Sequence, residues 1–162
     1  MESTAEQLSV RREIEIAASP ETVWQFLVDP AKAIIWWGTS AVMDACPGGN
    51  YRVEVMPGRA VRGAFVELDP PRRLVYTFGW EEGSGIPGAI PPGSSTVEIE
   101  LLASEQGTTL RFLHRGIPGP ESASSHGRGW DHYLGRLALV AAGHDPGPDA
   151  WLSGAMEGPR VP

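Results

Sequence analysis

Residues 129–143, GWDHYLGRLALVAAG, carry the strongest structural signal in the chain. Their apolar side chains recur at intervals of three and four residues: Trp130, Tyr133, Leu134, Leu137, Ala138 and Ala141. This spacing puts them on one wide stripe and predicts a long amphipathic helix that ends at Gly143. A helix with one apolar face has to pack that face against another element.

Seven strand-like segments precede this helix, and turn signals separate them. Within residues 97–101, for example, Val97, Ile99 and Leu101 alternate with two glutamates, which is typical of a half-buried strand. The predicted strands are residues 9–17, 41–45, 51–56, 61–68, 73–80, 97–101 and 108–114. Because short loops join most of them, we expect neighbouring strands to pair as an antiparallel meander.

Two short helices are predicted between the first and second strands. Ser19 caps the first helix, Pro20 suits its first turn, and Asp29 followed by Pro30 ends it. The second helix covers residues 31–36. Strands grouped apart from helices indicate an α+β fold, in which a curved antiparallel sheet of six to seven strands wraps around the long C-terminal helix. Since such a sheet is wider than one helix, we expect a pocket between them.

The composition indicates one ordinary globular domain with an acidic surface. The 162 residues are 41% apolar and 20% charged, and the formal net charge is −7. An acidic chain lacks a general attraction for phosphate backbones and anionic lipids, so we predict neither nucleic-acid binding nor membrane insertion. The acidic N-terminus is not a secretory signal, and the single Cys46 cannot form an internal disulfide. These features favour a cytoplasmic protein.

Several motifs occur in an order that resembles a known superfamily. They are SPETVWQFLVDP (19–30), Trp36-Trp37, Pro47-Gly48-Gly49, Gly63 before VELDPPRRLVYTF (66–78), Gly107-Thr108-Thr109, and Gly129-Trp130 with the Leu-rich helix. The chain thereby resembles the START-type (SRPBCC) helix-grip superfamily, which includes the birch pollen allergen and polyketide cyclases. Within it, the chain is most similar to the family named for the activator of the ninety-kilodalton heat-shock protein's ATPase (AHSA-type). The resemblance covers residues 10–143.

The resemblance implies a helix-grip fold with a cavity between the sheet and the last helix. It implies that the protein binds a small hydrophobic ligand or a protein partner, and it implies this more strongly than it implies catalysis of a reaction. Eukaryotic activators also carry a separate N-terminal domain that engages the chaperone. The sequence has no room for one before Val10, so we do not expect a chaperone partner.

We expect the helix-grip domain to span residues 1–143 and a Gly- and Pro-rich tail to span residues 144–162. Three apolar residues could dock this tail on the body or on a second subunit: Trp151, Leu152 and Met156. Residues 81–95 form a long Gly- and Pro-rich loop, which is either a functional lid or a flexible connection.

Ten residues are candidates for ligand contacts: Trp36, Trp37, Tyr51, Tyr76, Phe78, Phe112, His114, Trp130, Tyr133 and Leu137. His114 shares the inward parity of Leu110 and Phe112, so it either meets a ligand's polar group or is a core histidine with protein partners. The tyrosine hydroxyls and the tryptophan rings, including that of Trp80, likewise either contact a ligand or belong to the packed core.

The remaining polar residues predict no metal site, cofactor or nucleophile. His126 and His132 are not spaced to share one helical face, and we expect both to be exposed on the polar side of the helix. The serines at 122, 124 and 125 lack a nucleophile-elbow motif, so we interpret them as a loop and a helix cap.

Three functions remain open, and non-enzymatic binding of a small hydrophobic ligand is favoured because no catalytic set is found. The second is a cyclase- or hydrolase-like enzyme acting on a hydrophobic carbonyl compound of polyketide type, in which His114 and a tyrosine steer proton transfer. The third is a protein-binding module such as a chaperone cofactor. A homodimer is one way to cover the edge strands of the sheet.

Overall fold

The computed structural model describes residues 8–153. Within this range, seven strands and three α-helices follow one another: β1 (Leu8–Ile16), α1 (Pro20–Val28), α2 (Pro30–Trp36), β2 (Ser40–Met43), β3 (Asn50–Met56), β4 (Arg59–Asp69), β5 (Arg73–Phe78), β6 (Ser95–Ser104), β7 (Gly107–Ile117) and α3 (Pro120–Ala141). A short 3₁₀ helix (Ala150–Ser153) comes last. The α+β class and the order of elements are confirmed.

The strands form one antiparallel sheet in the order β1-β7-β6-β5-β4-β3-β2. Strands β2 to β7 are a meander, as expected from their short connections. β1 instead pairs with β7, because α1 and α2 carry the chain from one edge of the sheet to the other. Irregular register between Glu54 and Met56 and between Phe65 and Glu67 marks bulges, which add twist and help the sheet curve around α3.

The outer face of the sheet carries a row of alternating charges. The row crosses five adjacent strands in register: Glu13, Arg111, Glu100, Arg73 and Asp69. Two of the neighbouring pairs form ion pairs, with 3.7 Å between Arg111 and Glu13 and 3.5 Å between Arg73 and Glu100. Opposite charges on adjacent strands stabilise a sheet modestly and suit a wet surface. The apolar side of the sheet is therefore the one that α1, α2 and α3 cover.

The two short helices are joined by a single residue that caps both of them. Ser19 caps the start of α1 by accepting a hydrogen bond from the backbone N–H of Thr22. Asp29 ends α1 and accepts from the backbone N–H of Ala31 at the start of α2. This arrangement delivers the buried Trp36 and Trp37 to the inner side of the sheet.

α3 is longer than the periodicity indicated, since it begins at Pro120. The serines at 122, 124 and 125, expected in a loop and a cap, lie in its first turns. Glycine and serine are poor helix formers, and Gly119 provides no side-chain cap, so local sequence does not announce this start. Tertiary contacts stabilise it instead, because Ser122 and His126 are both buried.

Candidate functional site

A cavity of about 250 Å³ remains between the sheet and α3, at the end where β3 and β5 finish and β4 begins. Six aromatic side chains line it: Trp37, Phe78, Trp80, Trp130, Tyr133 and Trp151. Val55 and Met56 add aliphatic surface, and Arg59 lies on the wall from the start of β4. The sheet and the long helix therefore do not pack flush, and the space left between them is lined largely by rings.

The loop between β5 and β6 forms part of the cavity wall through Gly85, Ile86 and Pro87. Hydrogen bonds to α3 and to β4 hold it against the body: Ser122 Oγ donates to the carbonyl of Gly88 at 2.6 Å, and the backbone N–H of Glu81 donates to the carbonyl of Ala60 at 2.8 Å. The loop is therefore packed over the cavity.

His126 lies on the cavity wall with both ring nitrogens engaged. Its Nε2 accepts from the indole Nε1 of Trp80 at 3.0 Å, and its Nδ1 donates to the carbonyl of Ser122 at 2.8 Å. The carbonyl can only accept, so the proton of the neutral ring is on Nδ1. Burial lowers the pKa of His126, although the hydrogen bond to Ser122 opposes the shift.

His114 lies behind the cavity wall and is wholly buried. Its Nδ1 accepts from the indole Nε1 of Trp130 at 3.0 Å. Its Nε2 is 2.8 Å from Ser95 Oγ, which itself donates to the carbonyl of Phe78, so the ring proton is on Nε2. Burial, with a smaller contribution from nearby His126, lowers the pKa of His114 to about 3. Neither histidine can exchange a proton with a ligand near neutral pH without losing a buried partner.

The segment after α3 packs back onto the helix through one buried carboxylate. Asp149 accepts from the Tyr133 hydroxyl at 2.7 Å, pairs with His132 Nε2 at 2.8 Å, and accepts from the backbone N–H of Trp151. Burial by itself would raise the pKa of Asp149, but the hydrogen bonds from His132 and Tyr133 outweigh it and lower the pKa. Trp151 stacks on the His132 ring at 3.9 Å and so reaches the cavity.

Trp37 joins the cavity to a polar cluster deeper in the core. Among residues 8–153, its indole nitrogen is the one buried side-chain nitrogen or oxygen without a hydrogen-bond partner. Tyr51, its neighbour, stacks on Tyr76 with ring centroids 4.0 Å apart. Burial first, and the proximity of Tyr76 second, raises the pKa of Tyr51 well above its usual value. Burial also raises the pKa of Tyr76, so both phenols stay protonated near neutral pH.

Comparison with known proteins identifies the family. The family model described as "Activator of Hsp90 ATPase homolog 1-like protein" matches residues 17–142. The chain belongs to this family. Among curated proteins, none matches this chain.

Solved structures of similar proteins support the family assignment and the fold. The AHSA1-like protein of Rhizobium etli is 49% identical with a TM-score of 0.72, and the match covers 92% of this chain and 91% of that one. A protein from the dynemicin biosynthetic locus is 22% identical with a TM-score of 0.69, covering 87% of this chain and 50% of that one. The Aha1 dimer from Colwellia psychrerythraea is 18% identical with a TM-score of 0.70, covering 83% and 96%. The last two likenesses show the fold alone.

The structure separates the ten predicted contact residues of this AHSA1-like protein into two groups. Four line the cavity: Trp37, Phe78, Trp130 and Tyr133. Six lie in the core without lining it: Trp36, Tyr51, Tyr76, Phe112, His114 and Leu137. The spacing of apolar residues shows which face of a strand or helix is buried. The cavity, however, occupies only one end of that face. The indole nitrogen of Trp36 already has a protein partner, since Nε1 donates to the carbonyl of Phe26 at 2.8 Å.

The prediction that His126 is exposed on the polar side of the helix is wrong, because only 4% of its surface is accessible. A signal for its burial exists: His126 precedes Trp130 by one helical turn, so extending the apolar stripe backward would have placed it inside. His132 is in intermediate surroundings, paired with Asp149. Among the described residues, no group of three potential ligand side chains could hold a metal ion. In the same range, no helix is long and apolar enough to cross a membrane.

Proposed function

We propose that this AHSA1-like protein binds a small, flat, largely apolar molecule in the cavity between the sheet and α3. The observation that carries the proposal is the ring-lined cavity itself. Protein interiors are normally packed to the density of organic crystals, so an aromatic-lined space of about 250 Å³ inside a small domain calls for an occupant. Its volume, near the lower end of the usual range for ligand pockets, suits a molecule of one or two fused rings.

The wall is already organised without a ligand. The indole N–H groups of Trp80 and Trp130 donate to His126 and His114, and the Tyr133 hydroxyl donates to Asp149. These hydrogen bonds fix the orientation of three of the six aromatic rings on the wall. A ligand entering such a site does not have to order the side chains it touches, which reduces the entropic cost of binding.

Binding without a reaction suits the site better than acid–base catalysis. The two histidines nearest the cavity are neutral, each with both nitrogens hydrogen-bonded, and burial lowers both pKa values. His114, the group that a carbonyl-directed enzyme would need, does not line the cavity. We further propose that residues 1–143 form the ligand-binding domain, to which Trp151 of the following segment adds one ring of the cavity wall. We also propose that the protein is cytoplasmic, and that a homodimer is the assembly to test.

Two glycines of α3 provide a matched test. Gly129 lies on the cavity wall, and a Cβ placed there meets no other atom within 4 Å. Gly135 lies on the same helix, is exposed, and is equally unobstructed. Gly129→Leu should fill the cavity and abolish binding of methyl 2-naphthoate, a neutral flat probe, whereas Gly135→Leu should bind it as the unaltered protein does.

Calorimetry and the six indole N–H resonances of the NMR spectrum measure the outcome. We expect the resonances of Trp37, Trp80, Trp130 and Trp151 to shift with the probe, because these side chains line the cavity. Equal binding by the two leucine variants would place the probe elsewhere and contradict the proposal. Thermal melting of both variants checks that neither has lost its fold.

A further inference from the structure

The cavity includes a ring from outside the part of the chain that defines the family. The family model ends at residue 142, whereas Trp151 lines the cavity. Trp151 belongs to residues 142–153, the C-terminal segment, which leaves α3 and then packs back onto it. Near the start of this segment, the carbonyl of Pro146 accepts from Arg136 Nη1 on α3 at 3.3 Å. One ring of the wall therefore depends on how the C-terminal segment is held.

Asp149 attaches the C-terminal segment to α3. Its carboxylate is buried, and both oxygens have partners on the helix: Oδ2 accepts from the Tyr133 hydroxyl at 2.7 Å, and Oδ1 lies 2.8 Å from His132 Nε2. A buried carboxylate is costly unless such partners compensate for the water it has lost. Asp149 is therefore stable in this position only while its partners on α3 remain in contact.

The same residue sets the position of Trp151. Its Oδ1 also accepts from the backbone N–H of Trp151 at 3.0 Å, and its carbonyl accepts from the backbone N–H of Leu152 at 3.0 Å. Asp149 thereby caps the short 3₁₀ helix. The Trp151 indole stacks on His132 with ring centroids 3.9 Å apart and an interplanar angle of 5°, and it meets the edge of Tyr133 at 5.7 Å. Both of these ring partners are residues that bind Asp149.

From this geometry we infer that Asp149 is a positioning residue for ligand binding: it holds Trp151 against the cavity and makes the C-terminal segment a strap that retains the bound molecule. The inference rests on the proposed function and names the part of the chain that controls release of the ligand. Trp151 provides the contact, whereas Asp149 does not line the cavity and acts through the ring that it places. Loosening such a contact changes the dissociation rate more than the association rate.

Alanine variants of the full chain test the inference, with methyl 2-naphthoate as the probe. Trp151→Ala should weaken binding about tenfold, because the probe loses an aromatic partner. Asp149→Ala should weaken binding about fivefold, with the loss in the dissociation rate and the association rate changed less than about twofold. Calorimetry measures the affinity, and stopped-flow tryptophan fluorescence measures the two rates.

A double variant distinguishes positioning from a separate effect of the carboxylate. Because Asp149 acts through the ring, Asp149→Ala combined with Trp151→Ala should bind the probe no more weakly than Trp151→Ala alone. Asp149→Asn keeps the side-chain volume and one acceptor oxygen, so it should show the same faster dissociation to a smaller extent. The indole N–H resonance of Trp151 should move in Asp149→Ala even without the probe, since the stack on His132 is no longer held.

Asp145→Ala is the matched control. Asp145 is an exposed carboxylate of the same segment, and it accepts from the backbone N–H of Gly147. Its substitution should leave both rates unchanged. Unchanged binding in Trp151→Ala or in the two Asp149 variants, or additive losses in the double variant, overturns the inference and leaves the proposed function standing. Failure of the unaltered protein to bind the probe overturns the proposed function, and the inference with it. Thermal melts of all variants confirm that folded proteins are compared.

Discussion

His114 and His126 occupy similar chemical settings at two neighbouring regions of the molecule, one behind the cavity wall and one on it. Each imidazole accepts a hydrogen bond from a tryptophan indole at 3.0 Å, and their ring centroids are 5.4 Å apart. They differ in tautomer, with the proton on Nε2 in His114 and on Nδ1 in His126. They also differ in surroundings, because His114 is sealed in the core whereas His126 faces the cavity.

The comparison shows that one hydrogen-bonding motif can serve stability at one place and ligand binding at another. Behind the wall, a missing partner has no replacement, since neither water nor ligand reaches His114. On the wall, the cavity can supply water or a ligand atom to a group that loses its partner. We therefore expect equivalent substitutions in the two regions to differ in their cost.

The largest effect is expected for His114→Ala. The substitution leaves a void in the core and deprives both Trp130 Nε1 and Ser95 Oγ of a partner, so the free energy of unfolding should fall by about 3–5 kcal/mol. Urea denaturation followed by tryptophan fluorescence measures the loss. His144→Ala, at an exposed position, should change stability by less than about 0.5 kcal/mol. A loss below about 1 kcal/mol in His114→Ala would show that His114 is not a structural member of the core.

Replacing the two indole donors by phenylalanine compares the regions directly. Trp130→Phe removes the donor to the sealed His114 Nδ1 and should lower the free energy of unfolding by about 1–3 kcal/mol. Trp80→Phe removes the donor to His126 Nε2, and the cost should be lower because the cavity can provide a replacement. The same urea titrations measure both. A larger loss in Trp80→Phe than in Trp130→Phe would reverse the ranking of the two regions.

Acid should weaken the fold through the same histidines. The folded pKa of His114, about 3, lies below the unfolded value near 6.5, so the unfolded chain takes up a proton first as the pH falls. The free energy of unfolding should therefore decrease below pH 6.5, by about 1.4 kcal/mol per pH unit for this group, until about pH 3. His126, whose pKa is also lowered, acts in the same direction.

Urea titrations at pH 6.5, 6.0, 5.5 and 5.0 test this dependence above the range in which carboxylates usually titrate. His126→Gln should retain the part of the slope that belongs to His114. A free energy of unfolding that is constant across this interval would contradict the assignment of two neutral buried rings.

The smallest effect is expected for alanine at the two glycines of α3. Gly129→Ala and Gly135→Ala should each raise the free energy of unfolding by about 0.5–1 kcal/mol, because alanine is the better helix former and both positions are unobstructed. Only Gly129→Ala places its methyl group in the cavity, so it alone should weaken binding of methyl 2-naphthoate. Thermal melts and calorimetry provide the two readings. Weaker probe binding in Gly135→Ala would contradict the location of the site.

Much of the fold could be predicted because periodicity reports which face of an element is buried. Alternation in residues such as Val97 and Ile99 identified the strands, and the stripe from Trp130 to Ala141 identified most of α3. The first turns of α3 were missed, because residues with low helix propensity are held there by contacts such as Ser122 with the β5–β6 loop. Local propensity carries no information about such distant partners.

The candidate site could be predicted only in part, for the same reason. Of the predicted contact residues, Trp37, Phe78, Trp130 and Tyr133 line the cavity, whereas His114, selected by its inward parity, is buried behind them. His126 was assigned to the wrong side of its helix. Met156, named as a docking residue of the tail, lies outside the described residues, whereas Trp151 docks on α3 and lines the cavity.

The order and spacing of residues alone predict the strands, the short helices, the amphipathic α3 and the α+β class. Each of these depends on a pattern that is local in the chain. The position of the cavity, the two opposite histidine tautomers and the place of Arg59 beside the loop depend on packing between segments that are far apart in sequence. Trp37, Phe78, His126 and Trp151 meet only once α2, β5, α3 and the C-terminal segment are assembled. Side-chain shape and hydrogen-bond geometry settle that assembly, and no periodic pattern encodes either of them.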